Sequence, residues 1–290
     1  RLMEKNSSGY TASTGRISWE IIVNPYKESL ENVVITDNMS VDQEYVDLTF
    51  TIKDSGGVDY LGGSLVSSVS SIVYTFPATP PNAAITDTYT ITFETLITDP
   101  EIYENNYNQN HSNTASIALS NGTGGNENAN QRVTSNVLEK TVGDYEYDTR
   151  EIEWTIIVNN NQMSLTDVLI TDTIEANQTF IESTFSVVDN LGAVHDVSNL
   201  NLAYDNVDTF TYSFPGEITQ KYTITYKTEL TDLSLLRENQ TITLENTAYL
   251  DHDDIAGPLA VNYLAQKDII SEIIYKEETY SGGTDYIDWE

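Results

Sequence analysis

The chain contains no cysteine, so no disulfide braces it and no thiol chemistry is open to it. Basic residues are scarce: 13 lysines and arginines stand against 45 aspartates and glutamates, a formal charge of -32. A surface of that sign repels nucleic-acid phosphate and anionic headgroups, which argues against nucleic acid and the membrane surface as partners. No apolar run is long enough to span a bilayer, and neither a basic-then-apolar leader nor a C-terminal anchor signal is present. Proline is sparse, at 7 of 290 residues, and 39% of the chain is hydrophobic. That is enough apolar material for the packed cores of two ordinary domains. The sequence begins mid-pattern at Arg1-Leu2-Met3 and stops mid-pattern at Asp288-Trp289-Glu290, and is therefore read as a segment of a longer protein.

What is present is a repeat. Ile17-Ser18-Trp19-Glu20-Ile21-Ile22-Val23-Asn24 returns as Ile152-Glu153-Trp154-Thr155-Ile156-Ile157-Val158-Asn159, and Val33-Val34-Ile35-Thr36-Asp37 returns as Val168-Leu169-Ile170-Thr171-Asp172, both displaced by 135 residues. Further on, Tyr89-Thr90-Ile91-Thr92-Phe93 matches Tyr222-Thr223-Ile224-Thr225-Tyr226 at a displacement of 133. The lost residues belong in loops, where deletions are tolerated. A third copy opens at Ile274-Tyr275-Lys276 and breaks off at Ile287-Asp288-Trp289-Glu290. The implied organisation is repeat 1 over residues 1–136, repeat 2 over 137–272 and the truncated start of repeat 3 over 273–290.

Within each repeat the apolar period is two, in short runs parted by Asn, Asp, Gly and Pro. No segment carries a 3.6 period. The expected fold is all-β: tandem immunoglobulin-like β-sandwich domains in an elongated array. Residues 122–128 are read as a loop inside the first domain, and Asp251-His252-Asp253-Asp254 as the equivalent loop of the second. The last strand of one domain then runs almost directly into the first strand of the next, a short, stiff junction suited to a rod.

Three polar residues per repeat occupy registers that call for apolar ones. Asn246 is in phase with Ile242, Leu244, Ala248 and Leu250, and Asn113 with Ala115, Ile117 and Leu119. Asp172 follows Val168 and Ile170 at spacing two, as Asp37 follows Val33 and Ile35. Lys140 lies between Leu138 and Val142, Lys5 follows Met3, and Lys276 follows Ile274. Burying a charged amine or carboxylate is costly unless it is paired or neutralised. Desolvation lowers a lysine pKa and raises that of an aspartate, so a buried pair can sit as neutral amine and protonated acid. The amine is then a nucleophile, and the acid can polarise a neighbouring carboxamide. Attack with loss of ammonia gives a Lys-Asn isopeptide bond, formed once and without turnover. The same residues could instead form an unreacted buried Lys-Asp pair hydrogen-bonded to Asn.

This arrangement resembles the A-type repeat of Gram-positive collagen adhesins and related pilin and surface-protein domains. The resemblance implies an isopeptide bond between Lys5 and Asn113 with Asp37 as the bond-forming acid, and a second between Lys140 and Asn246 with Asp172. Lys276, without partners in its truncated repeat, is expected to be unreacted. It further implies an extracellular, cell-surface or wall-anchored stalk repeat, likewise monomeric, needing no cofactor or metal and not an enzyme in the multiple-turnover sense. The alternative is a ligand-binding adhesin module for a host extracellular-matrix protein or glycan.

Other groups carry less. The cluster Asp251 to Asp254 could hold a cation, but repeat 1 has Ser120-Asn121-Gly122 there, and a solvated acidic turn explains it. His111 and His195 lack a nucleophile in recognisable context. Trp19, Trp154 and Trp289 recur at one inward strand position and are read as core. The Asn-x-Ser/Thr triplets follow from an Asn- and Thr-rich composition.

Overall fold

The period-two pattern of the sequence becomes an alternation of burial. Along Arg16–Val23 every second residue is buried, so Ile17, Trp19, Ile21 and Val23 share the inner face. The same holds along Glu151–Val158, where Ile152, Trp154, Ile156 and Val158 point inward. A computed structural model describes residues 1–77, 84–205, 207–254, 257–271, 278–280 and 287–289. The chain divides into two compact units, Arg1–Asn136 with Asn161–Ser164, and Val137–Asn160 with Leu165–Glu290.

The first unit contains strands β1 (Met3–Thr11), β2 (Arg16–Val23), β3 (Leu30–Glu31), β4 (Val34–Asn38), β5 (Gln43–Tyr45), β6 (Thr51–Asp54), β7 (Ser64–Ser68), β8 (Ser71–Thr75), β9 (Ala84–Ile85), β10 (Tyr89–Ile97), β11 (Tyr107–Ala118) and β12 (Gly124–Ser135). Its two main sheets run β1-β2-β10-β5, with β6 also on β10, and β12-β11-β4-β8-β7, and β3 pairs separately with β9. All the pairings are antiparallel. The second unit contains β13 (Leu138–Glu146), β14 (Glu151–Val158), β15 (Thr166–Ile174), β16 (Gln178–Asp189), β17 (Leu200–Asp205), β18 (Val207–Ser213), β19 (Tyr222–Leu230), β20 (Gln240–Asp254) and β21 (Gly257–Ser271). Its sheets run β13-β14-β19-β16 and β17-β18-β15-β20-β21. The orders of the main sheets coincide, except that β16 does the work of both β5 and β6 through a register shift between Ile181 and Ser186, and a single bridge between Leu165 and Ile218 stands in for the β3-β9 pair.

Each unit is thus a two-layer β-sandwich, and aromatic side chains fill the space between its layers. In the second unit the Phe210 ring lies 5.1 Å from that of Phe180 and 5.0 Å from that of Tyr226, which joins the two sheets. Helix among the described residues is limited to short 3-10 turns at Ala12–Thr14, Pro100–Tyr103 and Leu235–Arg237. None of the helices is long and apolar enough to cross a membrane.

Two expectations are corrected. Of the expected loop over residues 122–128, only the turn closed by Leu119 and Thr123 is irregular, with Gly122 at φ 77 taking the left-handed conformation it requires. Gly124–Ser135 is strand, paired along its whole length with β11. Likewise Asp251 to Asp254 are the end of β20, paired with Gly257 to Ala260 in a long hairpin. The physical reason is shared. An edge ladder is held by backbone hydrogen bonds, so polar and glycine-rich stretches extend it without the apolar alternation that marks a core strand. Beyond Ser271, β22 (Glu278–Tyr280) pairs with β23 (Ile287–Trp289), while Lys276 lies outside the described residues.

Candidate functional site

The first strand of each sandwich delivers a lysine to the core. Lys5 on β1 stands opposite Ile21, and Lys140 on β13 stands opposite Ile156. The aspartates come from the facing sheet, Asp37 on β4 and Asp172 on β15. The asparagines lie on the strand next to them: Asp37 pairs with Ala115 and Asp172 with Ala248, which puts Asn113 and Asn246 two residues along, diagonal to the aspartate on the same inner face. All six side chains are inside, none more than 5% exposed. The structure therefore brings each predicted lysine, aspartate and asparagine together.

In the second sandwich the cluster is fully connected. Lys140 Nζ contacts Asp172 Oδ2 and donates to Asn246 Oδ1 at 2.7 Å and to the Tyr226 hydroxyl at 2.8 Å. Tyr226 donates to Asp172 Oδ1 at 2.8 Å, and Asn246 Nδ2 donates to the Tyr226 hydroxyl at 2.7 Å. In the first sandwich Lys5 Nζ contacts Asp37 Oδ2, but Phe93 occupies the position of Tyr226. Asn113 Nδ2 faces Met39 Sδ at 3.7 Å, and Asp37 Oδ1 and Asn113 Oδ1 have no well-aligned partner among the described residues. The missing hydroxyl accounts for the sparser network, since it would supply both a donor and an acceptor there.

Electrostatics follow from burial. Desolvation lowers the Lys5 pKa against the opposing pull of Asp37, and lowers that of Lys140 to about 8 against Asp172. Desolvation raises both aspartates, with the lysines only partly offsetting it. Burial, followed by the Asp172 charge, holds the Tyr226 phenol well above its usual value. Aromatic rings wall both amines: Lys5 Nζ lies 5.3 Å from the Trp19 ring and 4.9 Å from Phe93, and Lys140 Nζ 5.5 Å from Trp154 and 5.4 Å from Tyr226. A proton moved from amine to carboxyl leaves two neutral groups, which is the arrangement a dry site favours.

A second set of residues, not singled out by the sequence, holds the asparagine strand in place. Trp154 Nε1 donates to Thr228 Oγ1 at 2.9 Å, Thr228 Oγ1 donates to Gln178 Oε1 at 2.7 Å, and Gln178 Nε2 donates to the carbonyl of Glu245 at 3.2 Å. Glu245 immediately precedes Asn246. In the first sandwich Trp19, Thr95, Gln43 and the carbonyl of Ser112 repeat the chain at 2.8, 2.7 and 3.1 Å, and Ser112 precedes Asn113. The tryptophans are core residues as expected, and they also anchor a buried relay that crosses between the sheets.

The remaining candidates stay apart from these clusters. His111 is buried, with Nδ1 2.7 Å from Asp42 Oδ2 and Nε2 2.9 Å from the Tyr107 hydroxyl, and His195 Nε2 lies 3.0 Å from Asp189 Oδ2 in a loop. His252 is buried between two aspartates of β20. No group of three or more His, Asp or Glu side chains among the described residues is placed to hold a metal ion.

Residues 135–258, most of the second sandwich, match the family model described as the collagen binding domain. This agrees with the resemblance drawn from the repeated lysine, aspartate and asparagine. No curated protein sequence matches the chain. Among solved structures the chain is similar to the collagen adhesin of S. aureus, at 14% identity and TM-score 0.34, covering 89% of each chain. It is also similar to the Enterococcus faecalis surface protein described as binding its ligands by a collagen hug, at 14% identity and TM-score 0.37, covering 88% of this chain and 89% of that one. For the major pilin subunit of Bacillus cereus the values are 9% identity and TM-score 0.39, over 94% of this chain and 66% of that one.

The tryptophan-threonine-glutamine relay makes a stability prediction. Thr228→Val keeps the shape of the side chain but strands the Trp154 N–H and the Gln178 carbonyl in the core, at a cost of at least about 1–3 kcal/mol. Thr228→Ser keeps the hydroxyl and is expected to cost less. Urea unfolding midpoints measure both, and a valine variant as stable as the wild type would remove the relay from the account.

Proposed function

We propose that each sandwich forms an intramolecular isopeptide bond, Lys5 to Asn113 in the first and Lys140 to Asn246 in the second, and that the chain is a structural stalk segment of an extracellular bacterial surface protein. The observation that carries the reading is the second cluster, where a lysine amine, a carboxyl that can take its proton and a carboxamide meet in a core closed to water. Asp172 accepts the proton of Lys140, the neutral Nζ adds to the Asn246 carboxamide carbon, and collapse of the adduct releases ammonia. Asp37 plays the same part for Lys5 and Asn113. The reaction ends with its own product, so the protein is not a turnover enzyme, and it needs no cofactor.

The benefit is mechanical. The bond joins the first strand to the penultimate strand of the same sandwich and closes a loop of about a hundred residues, worth about 4 to 5 kcal/mol on the chain-entropy model used for disulfides. Tension applied at the ends of a domain then passes through the cross-link, and the chain within the loop cannot extend. A chain without cysteine obtains by this route the bracing that disulfides provide elsewhere. The acidic surface, at -32 overall, suits a solvated, monomeric surface protein.

The family match over residues 135–258 favours a second reading, in which the segment is an adhesin module that holds a matrix protein such as collagen. Solid-phase binding to collagen, other matrix proteins and glycans separates the two: binding to collagen supports the adhesin, and uniform absence of binding leaves the stalk.

Intact mass spectrometry of the folded wild-type chain is expected to show a mass below the sequence value by two molecules of ammonia. Asn246→Ala should leave a deficit of one, from the first sandwich. A wild-type chain at its full sequence mass would contradict the covalent claim.

A further inference from the structure

The Tyr226 hydroxyl has no counterpart in the first cluster, and it lies where the chemistry has an unmet need. Trp19 faces Phe93 across β2 and β10, and Trp154 faces Tyr226 across β14 and β19, so Phe93 and Tyr226 are equivalent positions. The Tyr226 hydroxyl is 2.8 Å from the attacking nitrogen, Lys140 Nζ, and 2.7 Å from the nitrogen that must leave, Asn246 Nδ2. Its single proton is directed to Asp172 Oδ1 at 2.8 Å. The orientation of the Asn246 amide is set by these partners, because its oxygen takes the lysine N–H and its nitrogen donates to the phenol oxygen.

We propose that Tyr226 is a catalytic residue of the second sandwich, carrying a proton from the attacking amine to the departing one. This rests on the cross-linking reading above. When neutral Lys140 Nζ adds to the Asn246 carboxamide carbon, the new N–C bond leaves a positive charge on Nζ and a negative charge on Oδ1. An amide ion is too poor a leaving group to depart, so Nδ2 must be protonated first. Addition frees a lone pair on Nδ2, and the Tyr226 O–H turns from Asp172 Oδ1 toward it. The phenol oxygen accepts a proton from Nζ while the phenol's own proton passes to Nδ2. The carbonyl then re-forms, the bond from carbon to Nδ2 breaks, and neutral ammonia departs. Tyr226 is left as it began, and Asp172 keeps the proton it took from Lys140. The hydroxyl bridges both nitrogens, so no water need enter the core. Phe93 cannot do this, and the first sandwich has to transfer the same proton between the nitrogens directly or through Asp37.

The test follows bond formation in freshly synthesised chain, with the branched peptide of each sandwich quantified over time after quenching and digestion. In Tyr226→Phe the second cross-link should form more slowly by a factor on the order of 100, with the first unchanged. The solvent deuterium isotope effect on the second cross-link should also shrink in the variant, which a loss of packing alone would not produce. An unchanged rate, or a slower rate with an unchanged isotope effect, overturns the relay. Should Tyr226→Phe fail to fold, the wild-type chain decides: a larger isotope effect in the second sandwich than in the first is expected, and equal effects overturn it. Absence of branched peptide from both sandwiches contradicts the cross-link itself and the relay with it. Cross-links that form without help from Tyr226 contradict the relay alone.

Discussion

A primary amine placed between two β-sheets, where water cannot reach it, sets the terms for the rest of each domain. Lys5 and Lys140 lose their hydration on folding, and only a partner that can share or take the proton makes that tolerable. The acid comes from the opposite sheet, since the lysine's own sheet offers apolar side chains and, beside Lys140, the Tyr226 phenol, which burial keeps protonated. Asp37 and Asp172 supply it, and burial pushes the amine and acid pKa values toward each other. The proposed covalent bond would remove this cost, because a lysine nitrogen turned into an amide carries no charge to be compensated.

The asparagine must then be held where the amine can reach it. A β-ladder fixes the register of a strand to one residue, and a slip would carry Asn246 to the outer face. The relay from Trp154 through Thr228 and Gln178 to the Glu245 carbonyl secures the strand one residue before the asparagine. Its recurrence from Trp19 to the Ser112 carbonyl shows that the two domains share this support as well as the buried lysine, aspartate and asparagine. Where they differ is inside the cluster. Tyr226 completes the hydrogen bonding of the second, and Phe93 leaves polar atoms of the first without good partners.

The lysine, aspartate and asparagine were legible because each interrupts an apolar alternation with a residue that is expensive to bury. The repeat made the two sandwiches legible for a related reason, since the Trp-bearing strand and its partners recur at nearly constant displacement. Thr95 and Thr228 occupy inward registers too, beside Phe93 and Tyr226, but a β-branched threonine suits any strand and raises no alarm. Gln43 and Gln178 begin strands after turns, where polar residues are ordinary. Tyr226 was hidden by its own ring, which fills the core as Phe93 does, so the role of its hydroxyl emerges only from the geometry. The ends of the long hairpins are not legible in the sequence because Gly124 to Asn128 and Asp251 to Asp254 are carried by the backbone ladder without an apolar alternation, and composition is a poor guide to such edges.

The central claim is that folding places a lysine and an asparagine in position to become one amide. Peptide mapping of the wild-type chain after tryptic digestion tests it most directly. The account predicts that cleavage after Lys140 is blocked and that residues 133–150 are recovered joined to residues 238–267 as one branched peptide, with residues 2–16 joined to 54–132 in the first sandwich. Recovery of these segments as separate linear peptides, cut normally after Lys5 and Lys140, would contradict it.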